Sequence, residues 1–194
     1  MEMNDMVLVS VDDHLIEPGD MYDGHLSGDL LASAPKLLTM NTGQSFWTYQ
    51  GSRLPITGLN VVVGRVPEEY GMEPTSLGQM RRGCWDPKAR LEDMDVNHIE
   101  ASLCFPNYPR FCGQLFMRGQ DKELSKLCVE AYNDWMVEEW CGDSNGRLIP
   151  LCILPMWDAD LAVAELQRNA ARGVKTATFS ELPAWLGLPS IHSG

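Results

Sequence analysis

Asp12 and His14 stand two positions apart in VLVSVDDHLIEP, residues 7–18, directly after a valine-rich run from Val7 to Val11. A short apolar run of that kind suits a strand buried in a parallel sheet. Side chains alternate along an extended chain, so Asp12 and His14 point one way and Asp13 the other. A carboxylate beside an imidazole, where a strand leaves a core, suits a divalent transition metal: Zn first, with Mn or Fe as the other choices. The competing reading is that Asp12 or Asp13 caps a turn and His14 is an ordinary loop histidine.

The elements that must position this pair are legible in the pattern downstream. A long connection, about Gly19 to Trp85, lacks an extended helical period. Inside it Phe46–Tyr49 and Ser52–Pro55 flank Gln50-Gly51 and read as a β-hairpin, with Gly51 free to take the positive φ of a tight turn. Such a hairpin could cover a pocket mouth, meet another subunit, or be a surface flap. Asp86-Pro87 starts a helix, with Asp86 as cap and Pro87 in the first position, where no amide donor is needed. Leu91 and Met94 face its core side, and Asn97 can close it in the left-handed conformation. Ile99 to Phe105 is a second buried strand. The strongest helix runs from about Asp121 to Trp140, with Leu124, Leu127, Cys128, Ala131 and Trp135 on one stripe, read as core packing. Leu148 to Leu154 is a third strand, marked down by Pro150. Asp158 caps a helix carrying Val163, Leu166 and Ala170 inward, and Lys175 to Phe179 is a fourth strand. Strand, helix, strand, helix implies a parallel sheet with helices outside it, either an open doubly wound sheet or a (β/α)8 barrel. No G-x-G-x-x-G follows the first strand, and a metal-type pair at its carboxyl end favours the barrel.

Composition narrows the function. The 194 residues are 44% hydrophobic and 22% charged, with no apolar run long enough to span a membrane. A formal charge of −12 argues against nucleic acid. The N-terminus carries acids rather than a basic secretory region, and six cysteines without a C-x-x-C pair read as buried, reduced thiols of a cytoplasmic protein. No G-x-S-x-G elbow is present.

Five stretches in order, VSVDDHLIEP, DPKARLEDMDVNHIEASLCFPN, AYNDW, GRLIPLCILPMWDADLAVAEL and GVKTATFSELPAWLGLPSIHS, resemble the amidohydrolase-related proteins. The resemblance is to the branch that includes aminocarboxymuconate-semialdehyde decarboxylase and the resorcylate decarboxylases. It covers nearly the whole chain and is weakest between Gly28 and Gly83. It implies a metal-dependent (β/α)8 barrel that hydrolyses or decarboxylates a small carboxylated or cyclic substrate. Asp12 and His14 fall on the carboxylate form of the family's first-strand metal pair. Glu17, close behind, is either a contact to that site or substrate, or a surface carboxylate. Asn107 and Tyr108 after the second strand, Trp157 after the third and Glu181 after the fourth are candidate substrate contacts, each more often structural. His192 is a weaker candidate, and His25 and His98 read as solvated.

The resemblance also implies further ligands from a fifth, sixth and eighth strand, which these residues do not reach. The expectation is therefore one partial domain, residues 1–194. It is the N-terminal half of a barrel with about four parallel strands and an insertion over about residues 19–85 that holds the hairpin. Two protein ligands fall short of the three a catalytic zinc usually has, and no catalytic acid or base is assigned within the chain. The alternatives are a non-catalytic fragment, or an interaction or scaffold protein completed by a partner. The expected partners are a small-molecule substrate and further copies of the chain, associating or aggregating through open sheet edges; nucleic acid and membrane are not expected.

Overall fold

In the computed structural model, which describes residues 5–55, 62–71 and 74–180, the valine-rich run becomes strand β1, Leu8–His14. Helix α1, Gly28–Ser33, leads to an antiparallel sheet of β2, Lys36–Thr39, β3, Ser45–Tyr49, and β4, Ser52–Pro55. Helix α2, Pro87–Val96, precedes β5, Ile99–Phe105. Helices α3, Gln114–Arg118, and α4, Lys122–Trp135, precede β6, Leu148–Pro150, and helix α5, Ala159–Ala171, follows. Strands β1, β5 and β6 pair in parallel in that order. The fold is thus α/β with a parallel sheet, as the alternation of elements implies.

The helix starts obey capping chemistry. Asp86 accepts the amides of Lys88 and Ala89, Asp121 accepts that of Leu124, and Asp158 accepts those of Asp160 and Leu161. At the end of α2 it is His98, at φ 55°, that takes the left-handed conformation; Asn97 stays at φ −96° and returns its side-chain amide to the Asp93 carbonyl. Helix α4 buries Leu124, Cys128, Ala131, Tyr132 and Trp135, then continues to Trp140 as a single π turn.

Three expectations for the elements after α4 change. The strand expected over Leu148 to Leu154 stops at Pro150, which has no amide to extend the ladder. Among the described residues the expected fourth strand is a single parallel bridge, Cys152 to Ala177, with the Thr178 amide on the Cys152 carbonyl. Helix α5 also turns the other way: Val163, Leu166 and Ala170 are exposed, while Glu165 and Asn169 are buried. Polar bonds dock this helix, since Glu165 Oε1 accepts from Asn133 at 2.6 Å and Arg168 reaches Asp134 at 2.6 Å.

The hairpin turns at Gln50 and Gly51, both with positive φ. Its β3 strand is packed into the body of the fold, because Ser45, Trp47 and Tyr49 are buried and Trp47 stacks on Tyr108 at 4.2 Å between ring centroids, while Tyr49, Gln50, Ser52 and Leu54 line a small pocket. All six cysteines are buried and free. Among the described residues no helix is long and apolar enough to cross a membrane.

Candidate metal centre

The carboxyl end of β1 carries an extra residue relative to its neighbour. Ser10 lies opposite Ser102 and Asp13 opposite Cys104, so three steps on β1 match two on β5. Such a bulge re-aims the side chains beyond it. Asp12 and His14 still converge: Asp12 Oδ1 lies 3.5 Å from His14 Nε2, with 80% and 43% of the side chains exposed. Asp13 points elsewhere, accepting Ser102 Oγ at 2.5 Å and pairing with Arg90 Nη1 at 2.6 Å.

The other ring nitrogen of His14 decides what the imidazole can do. Nδ1 lies 3.1 Å from the Pro106 carbonyl oxygen, and a carbonyl only accepts, so Nδ1 carries the proton. In the neutral ring, Nε2 then keeps its lone pair on the side facing Asp12. Two ligands at tetrahedral angles around an ion, with bonds of about 2.0–2.1 Å, sit about 3.4 Å apart. The 3.5 Å separation fits that spacing and is long for a direct hydrogen bond. Phe105, at 5.5 Å between centroids, walls the ring on one side. The pair opens onto a cleft of about 330 Å³, shared with Val63, Gly83, Arg90 and Met94.

A family model described as amidohydrolase matches residues 22–189. The chain belongs to the amidohydrolase family. The matched range begins after Asp12 and His14, so these two rest on their geometry. Among solved structures, the amidohydrolase map2389c from Mycobacterium avium subsp. paratuberculosis K-10 is similar at a TM-score of 0.64 and 22% identity, over 89% of this chain and 49% of that one. The apo form of Metarhizium anisopliae IDCase gives a TM-score of 0.48 and 15% identity, over 88% of this chain and 41% of that one. The chain thus spans about half the length, or less, of these two proteins. No curated protein matches it in sequence.

The other expected site residues of this amidohydrolase chain take varied positions. Glu17 is fully buried, neither on the surface nor in the cleft. Its Oε1 accepts the Asn107 amide at 2.8 Å and the Tyr132 hydroxyl at 2.9 Å, and its Oε2 accepts the Tyr108 amide at 3.0 Å. Burial, the largest influence, raises its pKa to about 7 against the pull of these donors. Asn107 is half-buried; Tyr108 is buried under Trp47, its hydroxyl hydrogen-bonded to that of Tyr22. Trp157 is half-buried, with Lys122 Nζ 5.1 Å from its ring centroid. Neither Asn107 nor Trp157 lines the cleft. Glu181 and His192 lie outside the described residues. His25 is not solvated, since its side chain is 11% exposed and meets Glu139 at 2.8 Å; His98 is exposed.

Sequence reasoning missed Arg90. Its Nη2 donates to the His14 carbonyl at 3.0 Å and its Nε to the Gly83 carbonyl at 2.5 Å, while Nη1 holds Asp13. One guanidinium thereby ties the last turn of β1 to α2 and to the 82–84 turn. That turn packs closely: a Cβ on Gly83 would collide with the Asp93 carboxylate. Asp13 in the DDH run was the available signal, because a half-buried carboxylate calls for a cationic partner. Among the described residues no third carboxylate, histidine or cysteine completes a metal-holding group.

Proposed function

We propose that this chain contributes the first-strand share of a divalent-metal site in a hydrolase or non-oxidative decarboxylase acting on a small carboxylated or cyclic substrate. The observation that carries the reading is the 3.5 Å approach of Asp12 Oδ1 to a His14 Nε2 whose lone pair is freed by the Nδ1–Pro106 hydrogen bond. Membership of the amidohydrolase family supports it. Two ligands are fewer than a catalytic zinc requires, so the remaining donors come from outside the described residues. A divalent ion, Zn first, supplies Lewis acidity when bound, either to ionise water or to clamp a substrate carboxylate.

The chain's own residues prepare the site. Asp12 brings the negative charge and His14 the neutral nitrogen that such an ion needs, while Arg90, turned onto Asp13, neutralises the adjacent carboxylate and anchors the backbone of His14. Zinc titration of the full chain, followed calorimetrically, tests the proposal. Asp12→Ala/His14→Ala is expected to abolish binding at the site, and undiminished affinity in that variant rules the assignment out.

A second reading rests on the outward-facing apolar residues Val7, Leu8, Val9 and Val11 of the β1 segment, together with the exposed Val163 and Leu166 of α5. We propose in that case a non-catalytic chain whose open sheet edge pairs with another copy. Sedimentation that shows a monomer at every concentration tried would count against it.

A further inference from the structure

We propose that Glu17 is a positioning residue for the Asp12–His14 site, acting through the single peptide unit that joins Pro106 to Asn107; this rests on the metal-site reading of that pair. The carbonyl of that unit accepts His14 Nδ1–H at 3.1 Å, and its N–H donates to Glu17 Oε1 at 2.8 Å. A trans peptide is planar, with C=O and N–H on opposite sides, so fixing one end fixes the other. The preference for trans is strong here because the residue after the bond is Asn107, not proline. Glu17 therefore grips one side of a rigid plate and His14 leans on the other.

Two further contacts stiffen the grip. The next amide, Tyr108 N–H, binds Glu17 Oε2 at 3.0 Å, and Tyr132 O–H binds Oε1 at 2.9 Å. Tyr22, Tyr108 and Tyr132 wall the carboxyl group, and all three are buried. A carboxylate on the N–H end also polarises the peptide, which strengthens its carbonyl as an acceptor for Nδ1–H. That favours the tautomer leaving Nε2 free, the relation by which an outer partner tunes a ligating histidine.

The test replaces Glu17 with Gln in the full chain, which puts an NH2 donor against an amide that itself donates. Two readouts are taken: ¹⁵N shifts of the His14 ring without metal at about pH 8.5, where an ordinary imidazole is neutral, and zinc affinity. The wild type is expected to hold the Nδ1–H form. Glu17→Gln is expected to shift toward a tautomer mixture and to bind zinc about 10–100-fold more weakly. A folded Glu17→Gln with the wild-type tautomer and affinity overturns the proposal. If Asp12→Ala/His14→Ala binds zinc as tightly as wild type while Glu17→Gln still moves the tautomer, the metal reading falls and the hold of Glu17 on the imidazole stands. Should Glu17→Gln not fold, Glu17→Asp decides. Its carboxylate is withdrawn by one methylene, so a smaller shift in the same direction is expected, and an unchanged tautomer overturns the proposal.

Discussion

Two halves of one stretch, Val7–His14 and Leu15–Tyr22, reverse the roles that their sequences suggest. The valine-rich half looks like core, yet Val7 is 73% exposed, Val9 48% and Val11 64%. The second half looks like a loop, yet Leu15, Ile16, Glu17, Met21 and Tyr22 are all buried. The pleat and β-branched residues make β1 a strand, but they do not anchor it. Beyond the β5 ladder and Arg90, anchorage comes from the three residues after His14: the Leu15 amide on the Phe105 carbonyl, the Ile16 amide on the Cys84 carbonyl, and the three donors on Glu17. The candidate site is therefore held from its C-terminal side, like a rim fixed to a deep root.

The largest expected effect is at that root. Leu15→Ala deletes a side chain with no exposure and is expected to destabilise the chain by about 2–5 kcal/mol, read from denaturant midpoints. A loss near zero would mean that the root is not packed and the contrast with β1 is void.

Next comes the buried carboxyl. Glu17 has a folded pKa of about 7 against 4.5 for an ordinary glutamate, raised by burial. Between those values the folded chain binds more protons than the unfolded one, so stability from this group is fully present below about pH 4.5 and falls as the pH rises through 7. The loss is on the order of 3 kcal/mol. Glu17→Gln removes the titration, so its stability should depend less steeply on pH than that of wild type over this window. Parallel curves for the two would show that Glu17 does not carry the slope.

A smaller effect should come from cutting the tie between rim and root. Arg90→Met keeps the volume but leaves Asp13 and the His14 carbonyl without their cation. Asp13 is a quarter exposed and partly rehydrates, so the cost is about 2 kcal/mol rather than that of a fully buried pair. The zinc affinity of the site should fall with it, because the backbone of His14 loses its anchor. Unaltered affinity would show that the rim is held without Arg90.

Much of this arrangement was legible in local sequence and some was not, for a consistent physical reason. Asp86, Asp121 and Asp158 cap helices through bonds two or three residues away, and Gln50-Gly51 turns through its own dihedral angles, so short-range rules suffice. The convergence of Asp12 and His14 comes from alternation along one strand. The partners of Arg90 and Glu17 lie as many as 77 (Asp13 to Arg90) and 115 residues away, and no periodicity carries such pairings. Helix α5 departs from its hydrophobic spacing because that spacing assumes an apolar contact face, whereas this helix docks through Glu165 on Asn133 and Arg168 on Asp134. The substrate contacts expected at Asn107 and Trp157 rested only on their places at strand ends; the Asn107 amide donates to Glu17 Oε1, a pairing 90 residues apart that no local rule carries.

The smallest effect sharpens the comparison most. Val11→Ala, on a residue 64% exposed, is expected to change the stability of the isolated chain by no more than about 0.5 kcal/mol. The strand-forming valine and the buried leucine four residues later would then differ several-fold in cost, although both sit in one unbroken segment. A loss at Val11 approaching that at Leu15 would mean that the exposed face of β1 is covered in solution. If that loss also grew with protein concentration, the cover would be another copy of the chain, as mass action requires of any stabilising association. If it did not, the covering residues would have to belong to the same chain, and the strand would be core after all.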